Sequence, residues 1–126
     1  VIMHCSAVYG WFKMSFFGYE YDAYVHTYSS IILAVIAFNY VKKFNQNLAE
    51  TVFLAMFITL GVGLFNELVE FAGYKLMGKG EGLFLLGPGD IGATNAFENL
   101  MTDLFQDFYG NLAGLFLAVV YTLKTK

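Results

Sequence analysis

Arginine is missing from this chain, and so is most of the charge on which a water-facing domain depends. All 7 basic residues are lysines, set against 10 acidic ones, and charged side chains make up 13% of the 126 residues, about half the ~25% of an ordinary soluble domain. A net charge of −3 implies no charged partner, and the lack of a basic stripe argues against nucleic acid. The single cysteine, Cys5, can form no intramolecular disulfide, and the paired Cys or Cys/His spacings of zinc modules are absent; Cys5 reads as a small apolar residue. There is one proline against 14 phenylalanines. The stretch "GKGEG" lacks the GxxxxGK[ST] pattern of a phosphate loop. No Ser-His-Asp set is readable either. Ser29 and Ser30 lie one turn from His26, where serines in apolar helices usually bond backbone carbonyls. Whether the chain is an enzyme is left open by these absences.

What the chain has instead is apolar length. Three runs each hold enough residues to cross roughly 30 Å of hydrocarbon at about 1.5 Å per residue: 23–41, 51–71 and 97–123. Lysines close the first and third, at Lys42, Lys43, Lys124 and Lys126, and tyrosines stand near several ends, at Tyr21, Tyr24, Tyr40, Tyr74 and Tyr121. Amphipathic rings favour that interfacial level. A soluble bundle needs polar outer faces, and 30–38 offers none. The expected fold is therefore all-α: a polytopic transmembrane helical bundle forming one membrane domain, 1–126, with the lipid bilayer as its first partner. Residues 1–9 are too short to span and read as the tail of a partial N-terminal helix. A Gly-rich loop, 78–96, connects the last two spans, with a turn at Gly87-Pro88-Gly89-Asp90. The lysine pairs flanking helix ends assign Lys42, Lys43 and the C-terminus to the cytoplasm of a multi-pass cell-membrane protein, which puts Lys13, Lys75, Lys79 and the Gly-rich loop outside.

The polar residues inside these runs are not scattered. Asp22 and His26 open the first span, one helical turn apart. Asn66, Glu67 and Glu70 close the second. Asn99, Asp103, Asp107 and Asn111 recur every fourth residue through the first half of the third, so consecutive members share a face. With alternating helix directions all three sets fall at one level, near the outer leaflet. An ionised carboxylate in lipid costs at least ~2.5–3.5 kcal/mol on insertion scales, so such residues face the bundle interior. Five carboxylates (Asp22, Glu67, Glu70, Asp103 and Asp107) then meet with no arginine to neutralise them. They need protons, lysines, water or a metal.

Carboxylates and imidazole projecting from facing helices are how bundle-core metal sites are built, and these ligands suit Mg, Mn, Fe or Zn. The candidate set is Asp22, His26, Glu67, Glu70, Asp103 and Asp107, with Asn66, Asn99, Asn111 and Asp90 in support. A metal-free hydrogen-bonded cluster explains the same spacing. The Glu-x-x-His pairs of di-iron bundles are absent; "NELVE" supplies Glu-x-x-Glu. Three functions fit: a small membrane protein whose acidic site binds a divalent metal or a lipid-like ligand, an accessory subunit of a larger membrane complex, or a cation path. The small-residue stretches "GVG" at 61–63 and "GNLAG" at 110–114 offer packing faces, for the chain's own helices, for other membrane subunits or for a second copy.

"YDAYVHTYSS", "NELVEF", "GPGD" and "ENLMTDLFQDFYGNLAG", taken in order, resemble the YjdF-like inner-membrane proteins and, more distantly, a VanZ-like arrangement. The resemblance covers 21 to about 118. It implies a helical membrane architecture with a polar site at Asp22, His26, Glu67, Glu70, Asp90, Asp103, Asp107 and Asn111, and it implies no substrate. Phe71 and Gln106 stand where the pattern has Trp and a smaller residue, and the arginine of VanZ-like proteins is missing.

Overall fold

The computed structural model describes Trp11, residues 14–77 and residues 96–125. The partial N-terminal helix, the Gly-rich loop and Asp90 lie outside the described residues. Three long helices dominate: α1 (Tyr21–Lys42), α2 (Leu48–Met77) and α3 (Ala96–Lys124). Each is long and apolar enough to cross a membrane. The helices outrun the apolar runs, most of all α2, which continues past residue 71 to Met77. Hydropathy marks where the lipid-compatible stretch ends, whereas a helix ends where its hydrogen bonding stops.

Local chemistry sets the boundaries. Asn47 caps α2, its Oδ1 accepting from the backbone N–H of Ala49 (3.0 Å) and Glu50 (3.3 Å). Glu50 answers by accepting from the Nδ2 groups of Asn45 (3.0 Å) and Asn47 (3.4 Å). Orphan amides of the first turn are satisfied in this way. Before α1 the sequence reading missed a small hairpin. β1 (Ser15–Phe16) and β2 (Tyr19–Glu20) pair antiparallel, Ser15 opposite Glu20 and Phe16 opposite Tyr19. Phe17 and Gly18 between them both have positive φ, 52° and 83°, as a type I′ turn requires. The hairpin is tied to α1 by Tyr24 Oη, which donates to the Phe16 carbonyl (2.7 Å), and by the Tyr21 N–H to the Met14 carbonyl (2.8 Å).

The helices run up, down and up. His26 meets Asp107, and Lys42 Nζ donates to Thr122 Oγ1 (2.9 Å), so α1 and α3 are parallel. Asn111 reaches the Met56 carbonyl (3.1 Å) while Glu67 reaches His26, so α2 runs the opposite way. Lys42, Lys43 and Lys124 therefore share one end of the bundle. The most extensive contact is α1 on α3, made possible by Gly110 and Gly114. A Cβ at Gly110 would strike the Thr27 carbonyl, and one at Gly114 would sit 2.5 Å from the Ile31 carbonyl oxygen and 2.8 Å from Ala34 Cβ. The small-residue face at 110–114 is thus spent inside the chain. In the other stretch, Gly61 faces open space and Gly63 faces Asp107.

The lysine-end half of the interior is mostly apolar, built from Ala34, Ala37, Phe38, Ala55, Leu115 and Ala118, with Thr51 and Thr122 buried toward its end. The other half is polar.

Candidate metal centre

His26 is the hub of the polar half. It lies on α1 one turn after Asp22 and one turn before Ser30, and all three are buried. Its Nδ1 lies 3.2 Å from Asp107 Oδ1 and 3.6 Å from Glu67 Oε1; its Nε2 lies 3.5 Å from Asp22 Oδ2. The imidazole therefore stands between carboxylates contributed by all three helices.

The contacts around Asp107 fix the ring. Ser30 Oγ donates to Asp107 Oδ1 (2.7 Å), the same oxygen that His26 Nδ1 approaches. A neutral ring that donates from Nδ1 to this oxygen carries its lone pair on Nε2, the nitrogen that faces Asp22. Gly63 of α2 leaves room for this carboxylate, since a Cβ there would come within 2.5 Å of Asp107 Oδ2. Ser30 corrects the sequence reading, which gave it a backbone carbonyl as acceptor. The signal was present: residues 22, 26 and 30 fall on one face of a helix at successive i,i+4 steps.

Among the described residues, two groups of side chains come within metal-ligating range. One ligand atom from each of Asp22, His26 and Asp103 lies within 4.8 Å of the other two, and the same holds for His26, Glu67 and Glu70. The asparagines support the acids. Asn99 Nδ2 donates to Asp103 Oδ2 (3.0 Å). Asn66 Nδ2 donates to Glu70 Oε1 (2.9 Å) and, more weakly, to Glu67 Oε1 (3.4 Å). Asn111 departs from the expected layer. It sits one turn deeper, and its Nδ2 is spent on the α2 backbone at Met56. The drift of an i,i+4 strip round a helix of 3.6 residues per turn carries its last member onto α2.

Beside this cluster a cleft of about 250 Å³ opens between the hairpin and the N-terminal parts of α1 and α3. Glu20, Asp22, Glu98, Asn99, Asp103 and Gln106 contribute to its lining. Gln106, singled out at first only as a departure from a family pattern, has its Oε1 buried with no hydrogen-bond partner among the described residues. Lys75 is exposed, its Nζ over the Phe71 ring at 5.4 Å from the centroid.

A family described as "Predicted membrane protein (DUF2238)" matches residues 1–124 of the chain. The chain belongs to this family. The match agrees with the three spanning helices and lends no support to a VanZ-like relationship. No curated protein and no solved structure matches the chain. The family description speaks of the membrane and of no reaction, so the chemistry of the DUF2238 site rests on its geometry.

Proposed function

We propose that this protein is a small integral membrane protein that binds a divalent transition-metal ion at Asp22, His26 and Asp103, near the outer leaflet. The observation that supports this most is the direction of the imidazole. Nδ1 faces Asp107, which Ser30 holds in turn, and Nε2 faces Asp22, so a neutral ring that donates from Nδ1 presents its lone pair on that side. A ligating histidine whose other nitrogen is oriented by a carboxylate is the usual outer arrangement of a metal centre. One imidazole and two carboxylates form a mixed N,O donor set that suits Zn, Mn or Fe. Asn99 holds Asp103 in position. The second trio would need the lone pair on Nδ1, and the Asp107 hydrogen bond opposes that tautomer. Glu67 and Glu70 then serve as neighbouring acceptors.

The test is direct. Protein purified in detergent, loaded with Zn²⁺ or Mn²⁺ and desalted, should retain one equivalent; Asp22→Asn with Asp103→Asn should retain none. Equal retention by the two proteins would end this reading in favour of a metal-free hydrogen-bonded cluster. The whole chain is proposed as one membrane domain, and the order of its motifs supports placing it with YjdF-like inner-membrane proteins. Lys42, Lys43 and the C-terminus are proposed to be cytoplasmic. Thiol labelling of Lys43→Cys and Thr125→Cys from the cytoplasmic face only, with Gly80→Cys labelled from outside, checks this in whole cells. Labelling of positions 43 and 80 from one face would overturn it.

A further inference from the structure

We infer that the cleft between the hairpin and the N-terminal parts of α1 and α3 is the loading route of the site, taking a hydrated divalent cation from the hairpin end of the bundle. The inference rests on the metal reading above and concerns how the ion arrives.

Three observations carry it. The cleft touches both carboxylate residues of the proposed ligand trio, Asp22 and Asp103, and among its lining residues are neither Glu67 nor Glu70. It therefore reaches the cluster on the side to which His26 Nε2 points. Its acidic lining is graded in depth: Glu98 is exposed, Glu20 half-buried, and Asp22 and Asp103 are 5% and 2% exposed. A cleft lined by one sign of charge between low-dielectric walls focuses the field and concentrates counter-ions. Gln106 also lines the cleft, and its Oε1, buried behind the lining, has no donor among the described residues. A cation that keeps part of its hydration shell brings water O–H donors to the carboxylates of the lining, and its bare surface is met next by the oxygens of Asp22 and Asp103. Acceptors at every depth suit a cation and repel an anionic headgroup.

The experiment blocks the cleft after folding. Thr102 is exposed and lines the cleft without belonging to the ligand set. In a Cys5→Ser background, Thr102→Cys is purified metal-free and modified with a bulky maleimide. Zn²⁺ association and dissociation are then followed against a chelating dye. Both rates should fall several-fold together while their ratio, the affinity, stays put. Unchanged rates on the modified protein would overturn the route and leave the site intact. Wild-type protein that takes up no Zn²⁺ would remove the site and the route together. A second variant needs no labelling: Glu20→Gln with Glu98→Gln should slow association several-fold at low salt and flatten its salt dependence. Association as fast and as salt-dependent as in wild type would count against a role for the graded acids.

Discussion

The two halves of this bundle solve the same problem with opposite means. Toward the lysine end, α1, α2 and α3 meet through Ala34, Ala37, Phe38, Ala55, Leu115 and Ala118. Toward the hairpin end they meet through Asp22, His26, Glu67, Asp103 and Asp107, all buried. Lipid tails are as apolar as leucine, so burying apolar surface between helices gains little in a bilayer, and association relies on close packing and on interhelical hydrogen bonds. The lysine-end half uses mainly the first device, with the Lys42–Thr122 hydrogen bond added at its end. Alanines and glycines let backbones approach, and one large ring, Phe38, fills the space. The polar half uses the second, with His26 linking α1 to both of its neighbours. The contrast teaches that buried charge here can hold helices together as well as form a site, and that the two roles are separable by substitution.

The largest expected effect lies where the halves join. Gly114→Leu drives a side chain into the Ile31 backbone and Ala34; overpacking of this kind costs typically ~1–3 kcal/mol and here, against backbone, about 3 or more. Unfolding in mixed micelles should show it, and a variant as stable as wild type would mean that α1 and α3 are not in close contact. Next comes Asp107→Leu, which raises hydrophobicity yet should destabilise by about 1–3 kcal/mol, because His26 and Ser30 are left buried without their acceptor. A more stable Asp107→Leu would show the carboxylate facing lipid, and the polar half would lose its role as glue. Removal of the cap by Asn47→Ala should cost about 1 kcal/mol, measured the same way, and should leave metal retention untouched because the site lies at the far end of α2. Smallest is Ile36→Ala on the outer face of α1, 59% exposed. Its effect should stay within about 0.5 kcal/mol, and a larger loss would place a protein partner on that face instead of lipid.

The spans were legible in the sequence because hydrocarbon thickness imposes a length and the lysines mark ends. The shared level of Asp22, His26, Glu67, Glu70, Asp103 and Asp107 was legible because helix periodicity and alternating direction fix depth. What could not be read was rotation. Drift in the i,i+4 strip moves Asn111 away from its fellows, but nothing in the spacing says that Asp103 lies with Asp22 while Asp107 lies with Ser30, since that follows from how α3 settles against α1. The hairpin was hidden for another reason. Its turn, Phe17-Gly18, places a bulky residue at positive φ, a choice that local preference opposes and that tertiary ties at Tyr21 and Tyr24 make workable.

The length of α2 carries a consequence of its own. Its 30 residues amount to about 45 Å of helix, whereas the 22 residues of α1 amount to about 33 Å. The apolar runs of the two helices, 23–41 and 51–71, are nearly equal, so most of the surplus in α2 lies past residue 71. α2 must lean, or project beyond the slab at the end where Lys75 rests on Phe71. It is also the helix with the smallest buried share, so its lean is opposed least by the protein and set most by the lipid. A change in bilayer thickness acts on α2 against the more extensively packed α1–α3 pair. The residues that such a tilt would carry furthest are those of its last turns, a short way beyond Glu67 and Glu70, so the membrane itself has a lever on the acceptors beside His26.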